Sequence, residues 1–160
     1  FPVDKRGVIF SGATREPVVR GLTRPHSARL HQRRLWVNNS GYGEVGVAQG
    51  GKFEPVARLL GWTRGLCFHE GVAFVGTSRV ISKFRQYAPG LDTNKSLCGV
   101  HAIDIGSGEI LGSLVWPFGS QIFAVEWASG EFTTGLPFDT QTKRSLTQER
   151  NLFYSFDTSA

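Results

Sequence analysis

Polar residues precede several short apolar segments, and a fold that sets those segments side by side would bring the polar residues together. His26, Arg64 and Gln121 each stand at such a position. Small-molecule sites use a few polar groups that converge on a concave surface. We therefore predict a ligand-binding site drawn from His26, Asn38, Asn39, Arg64, Gln121 and Glu126. The alternative for each residue is a structural hydrogen bond to the backbone of a neighbouring strand.

The carboxylate and amide oxygens in the chain raise the alternative of a metal-assisted hydrolase, as in propeller lactonases and esterases. Glu126, Asn38, Asn39 and Asp104 offer oxygen ligands of the kind that suit calcium or another hard ion. Such an ion would polarise a carbonyl group or activate water. Their spacing matches no metal motif, so we assign no metal ligand or cofactor and favour a non-enzymatic binding module.

Other catalytic motifs are absent from the sequence. No GxSxG nucleophile motif occurs. The glycines of 41–46 have the spacing of a dinucleotide fingerprint, but no helix is predicted after them. Cys67 and Cys98 lack CxxC spacing and are predicted to be buried core thiols.

Positive charge is concentrated near the beginning of the chain. The net charge is +5, and residues 1–34 hold eight Lys and Arg residues against Asp4 and Glu16. A basic segment can attract nucleic-acid phosphates. No aromatic stacking pattern accompanies the arginines, so nucleic-acid contact through residues 5–34 is the second alternative function, and solvated or partner-binding arginines are favoured.

A gapless internal repeat organises the chain. Short apolar segments separated by Gly, Asn and Ser are typical of strands and turns. Residues 26–37 superpose on residues 64–75 with an offset of 38, which aligns Leu30 with Phe68 and Trp36 with Phe74. A third copy aligns Trp127 with Phe68 at an offset of 59, and the excess falls in the polar stretch 79–97, predicted to be an inserted loop. Arg29, Cys67 and Glu126 then share one position of the repeat.

Each repeat is predicted to be a four-stranded antiparallel meander. In the first repeat, one strand ends near Leu30 and a second covers Leu35 to Val37, where residues 38–41 break it. The third and fourth strands cover 44–48 and 53–60. Four strands at this period are typical of propeller blades, whereas the competing β-sandwich would not require the repeat. We therefore predict an all-β partial β-propeller of about three blades. The chain is treated as one domain, 1–160, with blades near 23–60, 61–118 and 119–160, the last joined by an N-terminal strand at 8–13.

Several motifs resemble a bacterial family of conserved hypothetical proteins of unknown function. The resemblance covers about residues 20 to 138 and is carried by 23–29, 35–45, 53–56, 61–68, 73–78, 98–104, 108–110 and 121–127. Some members of that family occur beside tetratricopeptide repeats, and the family's proteins are about twice as long, so this chain resembles their C-terminal half. The resemblance implies a propeller-like fold, and it implies no activity and no catalytic residues.

Three blades cannot close a ring, since closed propellers have about four to eight. We expect a homo-oligomer, or completion by a missing half of the same chain. The 79–97 loop suggests a protein partner, because it holds residues favoured at interfaces, namely Phe84, Arg85, Tyr87 and Pro89. No run of 18 apolar residues and no signal peptide occurs, so we expect no membrane association and a cytoplasmic location. The chain lacks methionine and is expected to be a processed product or part of a longer one.

Overall fold

The prediction of an all-β fold is confirmed by a computed structural model, which describes residues 2–117 and 119–129. Strands make up about half of these residues. The chain divides into two units, 1–127 and 128–160, and every element below belongs to the first. The ten strands are β1 Gly7–Phe10, β2 Pro17–Leu22, β3 Pro25–His31, β4 Arg34–Asn39, β5 Glu44–Gln49, β6 Lys52–Arg58, β7 Trp62–His69, β8 Val72–Ser78, β9 Gly99–Asp104 and β10 Ile110–Val115.

Helix is limited to three short 3-10 segments in the described part of the chain. One, Ser40–Tyr42, follows β4, and two lie in the inserted loop at Ser82–Tyr87 and Thr93–Lys95. No helix among the described residues is long and apolar enough to cross a membrane.

Two four-stranded antiparallel meanders form the body of the structure, as the repeat predicts. Their strand orders are β3-β4-β5-β6 and β7-β8-β9-β10, so each sheet is built in chain order. A two-stranded sheet of β1 and β2 precedes them, and sequence analysis did not predict β2. Most of the expected third blade, 119–160, lies outside the described residues, and 119–127 are not assigned to a strand.

The predicted break after Val37 was wrong. Strand β4 continues through Asn38 and Asn39, and the chain leaves the sheet only at Ser40. Both asparagines are buried because their amides bond to other elements: Asn38 Nδ2 donates to the Gly65 carbonyl, and Asn39 Oδ1 accepts from the Thr23 N–H. These hydrogen bonds outweigh the low intrinsic strand preference of asparagine.

The middle sheet is buried on both faces. Trp36, Val45 and Val47 pack against Leu66 and other apolar residues of β7–β9 in one cluster. On the opposite face, Val37 and Ala48 pack against Val19 and Leu22 of β2. Because successive side chains of a strand point to opposite faces, Trp36 and Val37 enter different clusters. The three sheets are therefore stacked face to face.

A chain of polar side chains crosses each meander from its second to its fourth strand. In the first, Asn39 Nδ2 donates to Glu44 Oε2 at 2.8 Å, and Arg58 donates to Glu44 Oε1 at 2.6 Å. In the second, Nε2 of the buried His101 lies 2.9 Å from Thr77 Oγ1, and its Nδ1 lies 2.8 Å from Ser113 Oγ. Burial lowers the pKa of His101 below its usual 6.5.

The neutral state of His101 should make stability depend on pH. The unfolded chain binds a proton at a pKa near 6.5 that the folded chain binds only at lower pH, so the free energy of unfolding should fall as pH drops below about 6.5. We expect His101→Gln to weaken this decline between pH 7.5 and 5.0 in thermal unfolding. The exposed His69 supplies the control, His69→Gln, which should follow the parent chain. Identical pH curves for the parent and His101→Gln would contradict the assignment. A residual slope is expected from His26, whose pKa is also lowered, chiefly by burial.

Candidate functional site

A cleft of about 480 Å³ opens where β3 and β7 begin. We call it the arginine cleft, after the residues that dominate its lining. The first strands of the two meanders lie side by side, which brings Pro25 and His26 next to Trp62 and Arg64. The inserted loop after β8 forms another wall, to which Phe84 and Tyr87 belong.

Among the described residues, three arginines and no carboxylate line the cleft. Arg24 lies 4.2 Å above the ring of Tyr87, and Arg64 lies 4.3 Å above the ring of Phe123. Arg79 donates to the carbonyl of Pro117 at 3.1 Å. Within the described residues, none of the three forms an ion pair. Their positive charges are therefore held in place by ring faces and a carbonyl group, and no acid in the described part of the chain neutralises them.

Matching β-bulges position His26 and Arg64. The register shifts between His26 and Arg29 in β3, and between Thr63 and Leu66 in β7. Ser27 and Gly65, which are 38 residues apart, both have positive φ angles at these bulges, 55° and 79°. The Gly65 N–H donates to Ser27 Oγ at 3.0 Å, which joins the two bulges. Because a bulge redirects the side chains beside it, the repeated bulge places His26 and Arg64 at corresponding positions.

His26 is held on one side of its ring. Its Nδ1 lies 2.9 Å from the Arg24 carbonyl oxygen and 2.9 Å from Ser40 Oγ. Burial is the main cause that lowers the pKa of His26, and the positive charge of Arg64 lowers it further. Since the usual pKa is 6.5, the imidazole is neutral at pH 7.

The structure brings together three of the six predicted site residues: His26, Arg64 and Gln121 all line the arginine cleft. They belong to two positions of the repeat that are two residues apart. Arg24, Trp62 and Gln121 occupy one position, and His26, Arg64 and Phe123 occupy the other, at offsets of 38 and 59. The cleft thus includes equivalent residues of successive repeats.

The other three candidates are placed elsewhere and have structural partners. Asn38 and Asn39 are buried in β4 with the hydrogen bonds described above. Glu126 forms an exposed ion pair with Arg29. Arg29 and Glu126 share their repeat position with Cys67, and both charges act on its thiol. The repeat position that sequence analysis noted is therefore a real cluster, although it does not line the arginine cleft.

Sequence analysis missed Arg24, Trp62 and Arg79 as cleft residues. A signal existed for the first two, because they share the repeat position of Gln121. No comparable signal existed for Arg79, which lies in the inserted loop and has no counterpart in a matching loop. Of the loop residues expected at an interface, Phe84 and Tyr87 line the cleft, whereas Arg85 donates to Asn94.

The oxygen ligands of the hydrolase alternative are engaged in other interactions. Asp104 Oδ1 accepts hydrogen bonds from the Gly106 and Ser107 N–H groups and from the Ser107 hydroxyl. Glu126 pairs with Arg29, and the asparagines bond within the sheets. The described residues contain no group of three or more His, Cys, Asp or Glu side chains arranged to hold a metal ion.

Both cysteines are buried and unpaired, as predicted. Burial is the main cause that raises the pKa of each thiol. A thiol with a raised pKa is a poor nucleophile at neutral pH, so neither cysteine is a candidate for catalysis.

The basic residues of 5–34 are spread over separate elements. Arg24 stands before β3, whereas beyond its other end Arg33 lies in the turn and Arg34 begins β4. The seven residues of β3 span about 23 Å at about 3.3 Å per residue. Arg29, between them, is paired with Glu126. This distribution does not favour one phosphate-binding strip.

A comparison with known protein families identifies the family to which the chain belongs. A family model described as "Domain of unknown function (DUF4915)" matches residues 3–134. The chain belongs to this family. All the residues of the arginine cleft fall within the matched range, so the cleft is part of the DUF4915 domain. No curated protein and no solved structure matches the chain.

The structural role of Asn39 can be tested against an exposed asparagine. Asn39→Ala would leave the buried Thr23 N–H and the Glu44 carboxylate without their amide partner. We expect a loss of about 2 kcal/mol in the free energy of unfolding, measured by urea denaturation. Asn94→Ala, at an exposed position in a 3-10 segment, should change it by less than about 0.5 kcal/mol. Equal effects would show that the Asn39 network is not structural.

Proposed function

We propose that this chain is a non-enzymatic binding module, and that the arginine cleft binds a small anionic ligand with a flat or apolar part. The observation that carries the proposal is a concave site in which, among the residues that the structure describes, three arginines have no acidic partner and no carboxylate contributes to the lining. A cleft lined by positive charge attracts anions because its low-dielectric walls focus the field. Trp62, Phe84 and Tyr87 supply the apolar surface that small-molecule sites generally have.

We further infer that the stacked sheets are blades of a propeller. Three observations support this. The meanders follow one another in chain order, and their first strands are neighbours. The hydrogen bonds between successive repeats also recur. Ser40 Oγ donates to the Thr63 carbonyl at 2.6 Å, and Ser78 Oγ donates to the Ile122 carbonyl at 3.1 Å. The two donors are 38 residues apart and the two acceptors are 59 residues apart, and these are the two offsets of the repeat. The bacterial family resemblance supports the same interpretation, with this chain as the C-terminal half of longer relatives.

The arginines can be tested with phenyl phosphate, which combines an anionic group with an aromatic ring. Titration calorimetry in low salt should detect binding that weakens as salt is added. Arg64→Gln and Arg79→Gln should each weaken it about tenfold, since a charged hydrogen bond contributes about 1.5 kcal/mol or more. Arg20→Gln changes an exposed arginine on β2 outside the cleft and should leave binding unchanged. Absence of binding at millimolar phenyl phosphate, or equal losses in all three variants, would overturn the proposal.

Assembly is a separate proposal. The sheets are not closed into a ring, and Ile110, Leu114 and Val115 of β10 are exposed. Large exposed apolar patches are rare on monomers. We propose that a second copy covers the open faces of the stack, with an isologous interface.

Light scattering tests this arrangement. We expect a species of at least two chains, each of 17.6 kDa. A single monodisperse species of 17.6 kDa at micromolar concentration would contradict self-association.

A further inference from the structure

His26 presents a hydrogen-bond acceptor in a cleft whose charged groups are all donors. The direction of its hydrogen bonds follows from its partners. The Arg24 carbonyl can only accept, so Nδ1 must carry the proton. Ser40 gives its single hydroxyl proton to the Thr63 carbonyl at 2.6 Å, so it also accepts from Nδ1.

This network determines the state of the other ring nitrogen. A neutral imidazole with a proton on Nδ1 has a lone pair on Nε2. Nε2 of His26 has no hydrogen-bond partner within the described residues, and it is not among their buried unsatisfied atoms. It is therefore open to solvent, on a ring that lines the arginine cleft.

The other polar side chains of the cleft do not offer an acceptor alone. Arginine has only donors, and the hydroxyl of Tyr87 can donate as well as accept. Ser78 Oγ is committed, since it donates to the Ile122 carbonyl and accepts from the Ile122 N–H. Gln121 is exposed and can rotate to offer either end of its amide. Nε2 of His26 is thus a side-chain acceptor that cannot become a donor while Nδ1 keeps the proton of the neutral ring.

We propose that the ligand is a hydroxylated anion, in which an acidic group binds the arginines and a hydroxyl group donates to Nε2 of His26. This inference rests on the proposed function. An anion without a donor would take water away from Nε2 and leave it unpaired, which costs free energy. Sugar acids and sugar phosphates share the required chemistry, and a cleft of about 480 Å³ lies in the size range of small-molecule sites.

Matched ring anions test the hydroxyl requirement. Glucuronate and cyclohexanecarboxylate both carry a carboxylate on a six-membered ring, and only glucuronate carries hydroxyl groups. Glucose 6-phosphate and cyclohexyl phosphate form the corresponding phosphate pair, and glucose lacks the anion. We expect the hydroxylated member of at least one pair to bind about tenfold more tightly, as one hydrogen bond supplies, and glucose not to bind. The pair that shows the preference distinguishes a carboxylate from a phosphate ligand.

His26→Asn removes the acceptor nitrogen Nε2 and keeps a donor for the hydrogen bonds that position the side chain. The asparagine amide can still donate to the Arg24 carbonyl and Ser40, but it has no counterpart of Nε2. We expect the variant to bind both members of each pair with the affinity of the parent chain for the hydroxyl-free anion, at an unchanged melting temperature.

Nitrogen-15 NMR of the parent chain avoids any effect of the substitution on folding. The Nε2 resonance of His26 should be that of an unprotonated nitrogen and should shift towards a hydrogen-bonded value with the hydroxylated anion alone. If the hydroxyl-free anions bind as tightly as their partners, the hydroxyl inference fails while the anion cleft stands. If no anion binds, the proposed function fails as well.

Discussion

The structure depends on the burial of both faces of its middle sheet. A four-stranded meander of this size exposes two apolar faces, and neither can remain in water without a large loss of hydrophobic stabilisation. The chain solves this by stacking: β4 and β5 send alternate side chains into one cluster shared with β7–β9 and another shared with β2. The candidate site also depends on this stack, because the stack places β3 and β7 side by side.

Stacking brings equivalent positions of the repeat together, and the arginine cleft forms at one place where they meet. Residues 38 apart meet across neighbouring sheets: His26 lies near Arg64, and Ser27 bonds Gly65. Where the meeting residues are complementary, they pair, as Arg29 and Glu126 do across two repeats. At the starts of β3 and β7 the meeting residues include Arg24 and Arg64, and no carboxylate among the described residues pairs with either. The arginine cleft is therefore the place where the described part of the chain leaves positive charge without an acidic partner.

The inserted loop interrupts the repeat and contributes a wall of the cleft that the repeated strands do not supply. Its 3-10 segment Ser82–Tyr87 brings Phe84 and Tyr87 to the wall, and Tyr87 holds Arg24 by a ring contact. Gly90 packs so closely against Tyr42 that a Cβ atom there would lie 2.1 Å from its ring. A loop on a rigid sheet scaffold can vary without disturbing the core. The scaffold therefore supplies His26 and Arg64, and the loop supplies the shape of the cleft around them.

The sequence by itself determined most of the strand pattern and the pairing of equivalent positions, because these depend on local periodicity and on an internal comparison. For that reason it predicted that His26, Arg64 and Gln121 would lie together, as they do in the arginine cleft. Tertiary structure alone decided that Asn38 and Asn39 are buried structural groups and that Glu126 pairs with Arg29, since the partners of a polar side chain depend on which distant residue meets it. The same holds for Arg79, which only the path of the inserted loop brings to the cleft. The proton on Nδ1 of His26 was likewise beyond the sequence, because it follows from a carbonyl and a hydroxyl that reach the ring only in the folded chain.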